Sequence, residues 1–193
     1  MRSQEITESS QLTVRGSMTP DLVLSKLWLW DQLSSNLQRS GVCEVPAVLV
    51  LGSWTGTMGI ILASQGFPAR RIINIDHDPH WIAHSQQLAH RMGCGSMVEH
   101  CVGDVNDLEY HIPGAVIINT STHDIDQRDW FDRIPSGSVV ALQGRNATES
   151  AHSWDSLRHF VYDFPLRETW YRGQLNLCDP STEYRRYMLI GRV

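Results

Sequence analysis

A glycine-punctuated loop, three carboxylates and one dense run of small polar residues are the parts of this sequence whose types and spacing could do chemistry. Gly52, Ser53, Trp54, Gly56 and Gly59 follow the apolar run 47–51. Glycine there lets a chain turn sharply and approach a ligand closely, and the start of the following helix offers unpaired N–H groups. Asp76 lies about 20 residues beyond the loop, at the tip of a second apolar run, where a carboxylate can accept both hydroxyls of a ribose. Asp78, directly before Pro79, suits the cap of the next helix, and His77 stands between the two acids. Asp104 and Val105 follow a third run, where a carboxylate either accepts from an exocyclic amine such as adenine's or caps its own loop.

The polar run is Asn119-Thr-Ser-Thr-His123-Asp124. His123 has an unperturbed proton affinity suited to acid–base work, Asp124 could orient it, and Asn119 could hold a substrate through its amide. The alternative is that His123 and Asp124 cap the helix after them. Gln143, Arg145 and Asn146 either line the same pocket or form a polar loop. Arg185, Arg186 and Tyr187 read as a solvated edge. His77, His80 and His84 have partial metal-ligand spacing, but no third and fourth ligands follow, so no metal is expected. A nucleophile elbow, a phosphate-binding lysine loop and a C-x-x-C pair are all missing from the sequence.

Elements must position these residues. Thr19-Pro20-Asp21 marks a helix start, and the helix to about residue 37 is apolar on more than one face. That breadth fits core packing, a lid or a homodimer contact. Strands are expected at 47–51, 71–75, 97–102, 115–119 and 138–143. Helices are expected at 57–64, 79–92, 126–133 and 153–162. Such alternation predicts a doubly wound, mostly parallel α/β sheet. The runs 168–177 and 184–192 are too close for a crossover, so they should close a seven-stranded sheet as an antiparallel hairpin. Residues 1–18 read as a flexible N-terminus and 19–193 as one domain, with the helix at 19–40 and the α/β core at 45–193.

From 45 to 193 the chain resembles the class I S-adenosylmethionine-dependent methyltransferases. The resemblance implies a Rossmann-like methyltransferase fold and S-adenosylmethionine as cofactor, bound by Gly52, Ser53, Trp54, Gly56, Asp76, His77, Asp104, Val105 and Asn119. It also implies methyl transfer beside His123, Asn119 and Asp124. Two positions depart from the family pattern. Val50 and Leu51 stand where an acid often precedes the first glycine, and Trp54 stands at the middle glycine. A repurposed or non-catalytic protein of this fold, or a nicotinamide-dependent oxidoreductase, is the alternative.

Composition narrows the partners. The 193 residues are 41% hydrophobic and 19% charged, as in a globular protein, and the formal net charge is −5. Without a basic stripe, nucleic acid is disfavoured, and a small-molecule or protein substrate is expected. No apolar run reaches membrane-spanning length and no export signal is evident, which points to a cytoplasmic protein with four reduced, buried cysteines.

Overall fold

The computed structural model describes residues 18–125, 128–146, 152–178 and 183–193. Seven strands are β1 (Val48–Leu51), β2 (Ile72–Asp76), β3 (Val98–Val102), β4 (Val116–Asn119), β5 (Val139–Arg145), β6 (Glu168–Cys178) and β7 (Glu183–Arg192). The helices are α1 (Pro20–Arg39), α2 (Thr57–Ser64), α3 (Pro79–Arg91), α4 (Asp129–Asp132) and α5 (Leu157–Asp163). All seven strands form one sheet in the order β3-β2-β1-β4-β5-β7-β6. The five central and left-hand strands run parallel, and β7 lies antiparallel between β5 and β6.

Alternation along the strands sorts the core into two layers. Val48, Val50, Val116, Ile118, Met188 and Ile190 pack on one side, with Leu29, Leu33 and Leu37 of α1 and Met58, Ile60 and Leu62 of α2. Leu49, Leu51, Ile117, Leu142, Tyr187 and Leu189 pack on the other, against Trp130, Phe131, Trp154, Phe160 and Phe164. Because both faces are covered, β1 is apolar at every position instead of alternating with polar residues. Strand order reverses between β1 and β4, and this switch opens a crevice at the carboxyl ends of the strands.

Several sequence expectations are corrected in detail. The helix expected at 126–133 is the single turn α4; residues 126 and 127 lie outside the described part, and Pro135 disfavours helical backbone at Ile134. The helix expected at 153–162 begins only at Leu157, where Ser156 caps it by accepting from the His159 N–H. Trp154 therefore precedes α5, packs its ring 4.9 Å from Phe160, and donates Nε1–H to Asp163. Of the cysteines, Cys94 is buried, whereas Cys43, Cys101 and Cys178 are exposed. Residues 1–17, read as flexible, lie outside the described residues.

The largest correction concerns β7. Arg186 is 3% exposed and Tyr187 fully buried; only Arg185 of that trio reaches solvent. A solvated edge was the wrong reading because β7 is inserted between β5 and β6, which makes β6 the edge. Helix α1 packs onto its own sheet, with Trp28 Nε1 donating to the Tyr171 hydroxyl of β6 at 3.2 Å. Among the described residues no helix is long and apolar enough to cross a membrane.

Candidate functional site

The crevice holds two adjoining cavities. A cavity of about 400 Å³ is lined by residues of the β1 loop, Asp76, the β4 loop, α1, Arg145 and Arg186. Another of about 310 Å³ is lined by Gly52, His77, Asp104, Val105, Asn106, Asp124 and Ile125. Gly52, His77, Asp124 and Ile125 border both, so the two form one groove across the tips of β3, β2, β1 and β4.

The β1 loop keeps a left-handed backbone at Gly52 (φ 55°), Trp54 (φ 49°) and Gly56 (φ 74°). Trp54 thus takes a conformation that glycine adopts freely and a bulky residue rarely does. The loop follows a glycine's route, and the indole turns aside to meet Trp81 edge-on at 5.7 Å. Three hydrogen bonds hold it there. The Ser53 N–H donates to the Ile75 carbonyl (2.9 Å), the Gly56 N–H to the Ser53 carbonyl (2.8 Å), and the Trp54 N–H to Asp76 Oδ2 (2.8 Å).

Support from behind comes from a residue sequence reading passed over. Val50 is wholly buried in the core, and its register partner on β2 is Asn74. Asn74 Nδ2 donates to the Gly56 carbonyl (3.3 Å) and the Ser85 hydroxyl (3.0 Å), and Ser85 also bonds His100 Nδ1 (2.9 Å). A polar anchor thus stands one strand over from the position where Val50 supplies none. A Cβ on Gly56 would lie 1.9 Å from the Ser85 hydroxyl, and one on Gly59 would lie 2.3 Å from Asn74 Oδ1. Both glycines are therefore packing requirements, and Gly56 is a turn residue as well.

Asp76 ends β2 with 5% exposure. Its oxygens accept from the Trp54 and Asp78 N–H groups, and each has capacity for a further hydrogen bond. Asp78 caps α3 by accepting from the His80 N–H at 2.8 Å. His77 is exposed, with Nδ1 3.5 Å from Asp76. Asp104 accepts from the Asn106 N–H in its own loop and borders the smaller cavity with Val105. His80 and His84 touch through Nε2 at 3.2 Å; among the described residues no three His, Cys, Asp or Glu groups converge as metal ligands.

At β4 the polar run folds back on itself. Asn119 is fully buried, and its Oδ1 accepts from the Ser121 N–H (2.9 Å), so its carbonyl holds a turn and the residue does not line either cavity. Ser121 donates to the Gly52 carbonyl (3.3 Å), which ties the β4 loop to the β1 loop. His123 is buried, with Nε2 3.3 Å from Asp124 and Nδ1 lacking a protein partner among the described residues. The expected unperturbed imidazole is not what the fold provides. Burial, then the charges of Arg186, Arg145 and Lys26, hold its proton affinity well below the usual histidine value. Burial also raises Asp124 above the ordinary carboxylate range.

Gln143, Arg145 and Asn146 separate from one another. Gln143 is buried, accepts from the Ser25 hydroxyl (3.2 Å) and donates to the Ser25 carbonyl (3.0 Å), which pins α1 over β5. Arg145 borders the larger cavity, while Asn146 accepts from the Arg185 N–H on the outer side. A second pin is the Tyr184 hydroxyl, which donates to Asp21 at 2.6 Å. Lys26, which sequence reading missed, enters the cavity from α1. A signal was present: it is the only lysine among 193 residues, and it sits within the mostly apolar stretch 22–30 of α1. Burial and the nearby Arg186 pull its ammonium down to about 7.

Neither a protein-family model nor a curated protein sequence matches the chain. Solved structures do. Magnesium protoporphyrin IX methyltransferase from Synechocystis PCC 6803, solved with bound S-adenosylhomocysteine, has a TM-score of 0.58 at 13% identity, covering 88% of this chain and 84% of that one. Geranyl diphosphate C-methyltransferase from Streptomyces coelicolor A3(2) has a TM-score of 0.60 at 10% identity, covering 86% and 74%. TrmN from Thermus thermophilus has a TM-score of 0.57 at 18% identity; 93% of this chain is covered, which spans about half (51%) of that protein. With β7 reversed between β5 and β6, and with these likenesses, the chain has the fold of the class I S-adenosylmethionine-dependent methyltransferases.

Proposed function

We propose that the protein transfers a methyl group from S-adenosylmethionine to a small-molecule or protein acceptor held beside His123 and Asp124. The observation that carries this reading is the groove itself. One carboxylate stands at the tip of β2 and another follows β3, and both border the groove that crosses a glycine-route loop after β1. Similar folds solved with S-adenosylhomocysteine or S-adenosylmethionine support the choice of ligand.

The residues present fit that cofactor. Asp76 has lone pairs for two ribose hydroxyls, and Asp104 and Val105 can hold an adenine edge and face. Gly52 brings backbone to both cavities, and Ser53 lines the larger one with a buried hydroxyl that has no partner among the described residues. When bound, the cofactor supplies an electrophilic methyl group on a sulfonium sulfur.

The chain then has to place a nucleophile and receive its proton. The lowered proton affinity of His123 favours its neutral form, and the residue borders the larger cavity with Asp124 3.3 Å from its Nε2, so the pair stands where the proton of an acceptor O–H or N–H is released. Burial moves the proton affinities of His123 and Asp124 toward each other. A proton taken by the ring can therefore pass to Asp124, whose side chain is 56% exposed and opens to solvent. Asn119 acts as a positioning residue that sets the β4 turn.

Calorimetric titration with S-adenosylhomocysteine tests the reading, with NAD as the competing ligand. Asp76→Asn is expected to weaken S-adenosylhomocysteine by ~2 kcal/mol, about 30-fold, because it removes a charged acceptor of two hydrogen bonds. Tight NAD binding without S-adenosylhomocysteine binding, or an Asp76→Asn variant with wild-type affinity, would overturn it.

A further inference from the structure

The acceptor end of the groove is built for a negative charge. Arg145 and Arg186 are directly opposite one another in the β5–β7 register, and both border the larger cavity. Like charges placed opposite across two strands repel. Lys26 enters the same cavity from α1, so three cations converge within a protein whose net charge is −5. Arg186 is 3% exposed, its Nη1 reaches the Thr120 carbonyl only at 3.4 Å, and its buried Nε has no hydrogen-bond partner among the described residues.

Among the described residues, the carboxylates near Lys26 and Arg186 are engaged with other groups. Asp21 is engaged by the Tyr184 hydroxyl, and Asp124 is half-exposed beside His123. Asp76 lies at the far end, under the β1 loop, occupied by two backbone N–H groups. Burial and the charge of Arg186 take away much of the ordinary basicity of Lys26, against the opposing pull of Asp21. A carboxylate or phosphate entering between these groups would satisfy Arg186 Nε and relieve the repulsion. Guanidinium groups suit both anions, since they donate in pairs.

We propose that Lys26, Arg145 and Arg186 bind an anionic group, a carboxylate or a phosphate, on a small-molecule methyl acceptor. This rests on the methyl-transfer reading of the same groove. The placement favours the acceptor over the donor's own carboxylate. Arg145 and Arg186 belong to β5 and β7, beyond β4, whereas the loop and acids that suit the donor belong to β1, β2 and β3.

The test titrates inorganic phosphate, benzoate and uncharged benzamide into protein saturated with S-adenosylhomocysteine. Phosphate or benzoate is expected to bind with a Kd of about a millimolar or below, at least tenfold tighter than benzamide. Arg186→Gln and Lys26→Met should each lose that binding about tenfold or more, and Lys26→Arg should restore it. Lys26 is only part-buried, so its variants keep the test open should Arg186→Gln fail to fold. If neither anion binds the saturated protein, or if the Lys26 variants leave anion affinity unchanged, the proposal falls. It also falls if the variants weaken S-adenosylhomocysteine tenfold but spare 5′-methylthioadenosine, because the cations would then hold the donor's carboxylate. Should S-adenosylhomocysteine not bind at all, methyl transfer fails on its own account, and the same titration of the unliganded protein still decides whether Lys26 and Arg186 form an anion site.

Discussion

The two ends of the groove are made in different ways. The end proposed to hold the donor is drawn from residues 52–105 and relies on backbone: three left-handed loop residues, the N–H groups that converge on Asp76, and a buried amide behind them. The end proposed to hold the acceptor is assembled from side chains that are far apart in sequence. Lys26, His123, Arg145 and Arg186 come from one helix, one loop and two strands. The donor end is therefore local in sequence, while the acceptor end depends on long-range packing. Separate substitutions should be able to damage one end and spare the other.

The largest effect is expected at the donor end. Gly56→Ala forces a Cβ against Ser85 and Asn74 and places a side chain at φ 74°, so a loss of ~3 kcal/mol in unfolding free energy is expected from overpacking and strain together. Urea denaturation measures it, and a loss near zero would show that the Asn74–Ser85 network does not brace the loop. At the acceptor end, Tyr184→Phe removes the Asp21 hydrogen bond and should cost ~1 kcal/mol in stability. Because that bond pins α1, the acceptor's KM should rise while S-adenosylhomocysteine affinity stays within twofold. Equal damage to both affinities would erase the distinction between the two ends.

The smallest effect is expected from Trp54→Gly. Relief of the left-handed backbone and loss of the Trp81 contact oppose each other, and the net change in stability should lie within ~1 kcal/mol of zero. A larger loss would mean that the indole, and not the backbone route, holds the loop.

The same division explains what could be read from sequence. The strands, the closing hairpin, the β1 loop and Asp76 follow from local patterns of apolar runs, glycines and acids, each interpretable within a short window. Asp78 was legible as a cap for the same reason. The acceptor end was not, because burial of Arg186 depends on β7 lying inside the sheet, and charge in a strand reads as exposure until the order is known. Asn74 was missed because its role depends on strand register with Val50, not on any spacing along the chain. The shift at His123 arises first from burial and then from three cations contributed by distant elements. Short helices were misplaced where a proline or a serine cap outweighed the apolar stripe.

Arg186 has a second consequence, for how the hairpin finds its frame. Both faces of β7 are apolar farther along, with Met188 and Ile190 on one side and Tyr187 and Leu189 on the other, so hydrophobic patterning discriminates weakly between neighbouring alignments. Slipped by one residue, the strand would carry the guanidinium toward the place now held by Tyr187, whose ring lies 6.1 Å from that of Phe160. An unpaired cation among aromatic rings is among the costliest things a core can contain. In the native alignment the guanidinium instead faces the cavity and the Thr120 carbonyl, so the charge disfavours the adjacent alignment of the last hairpin.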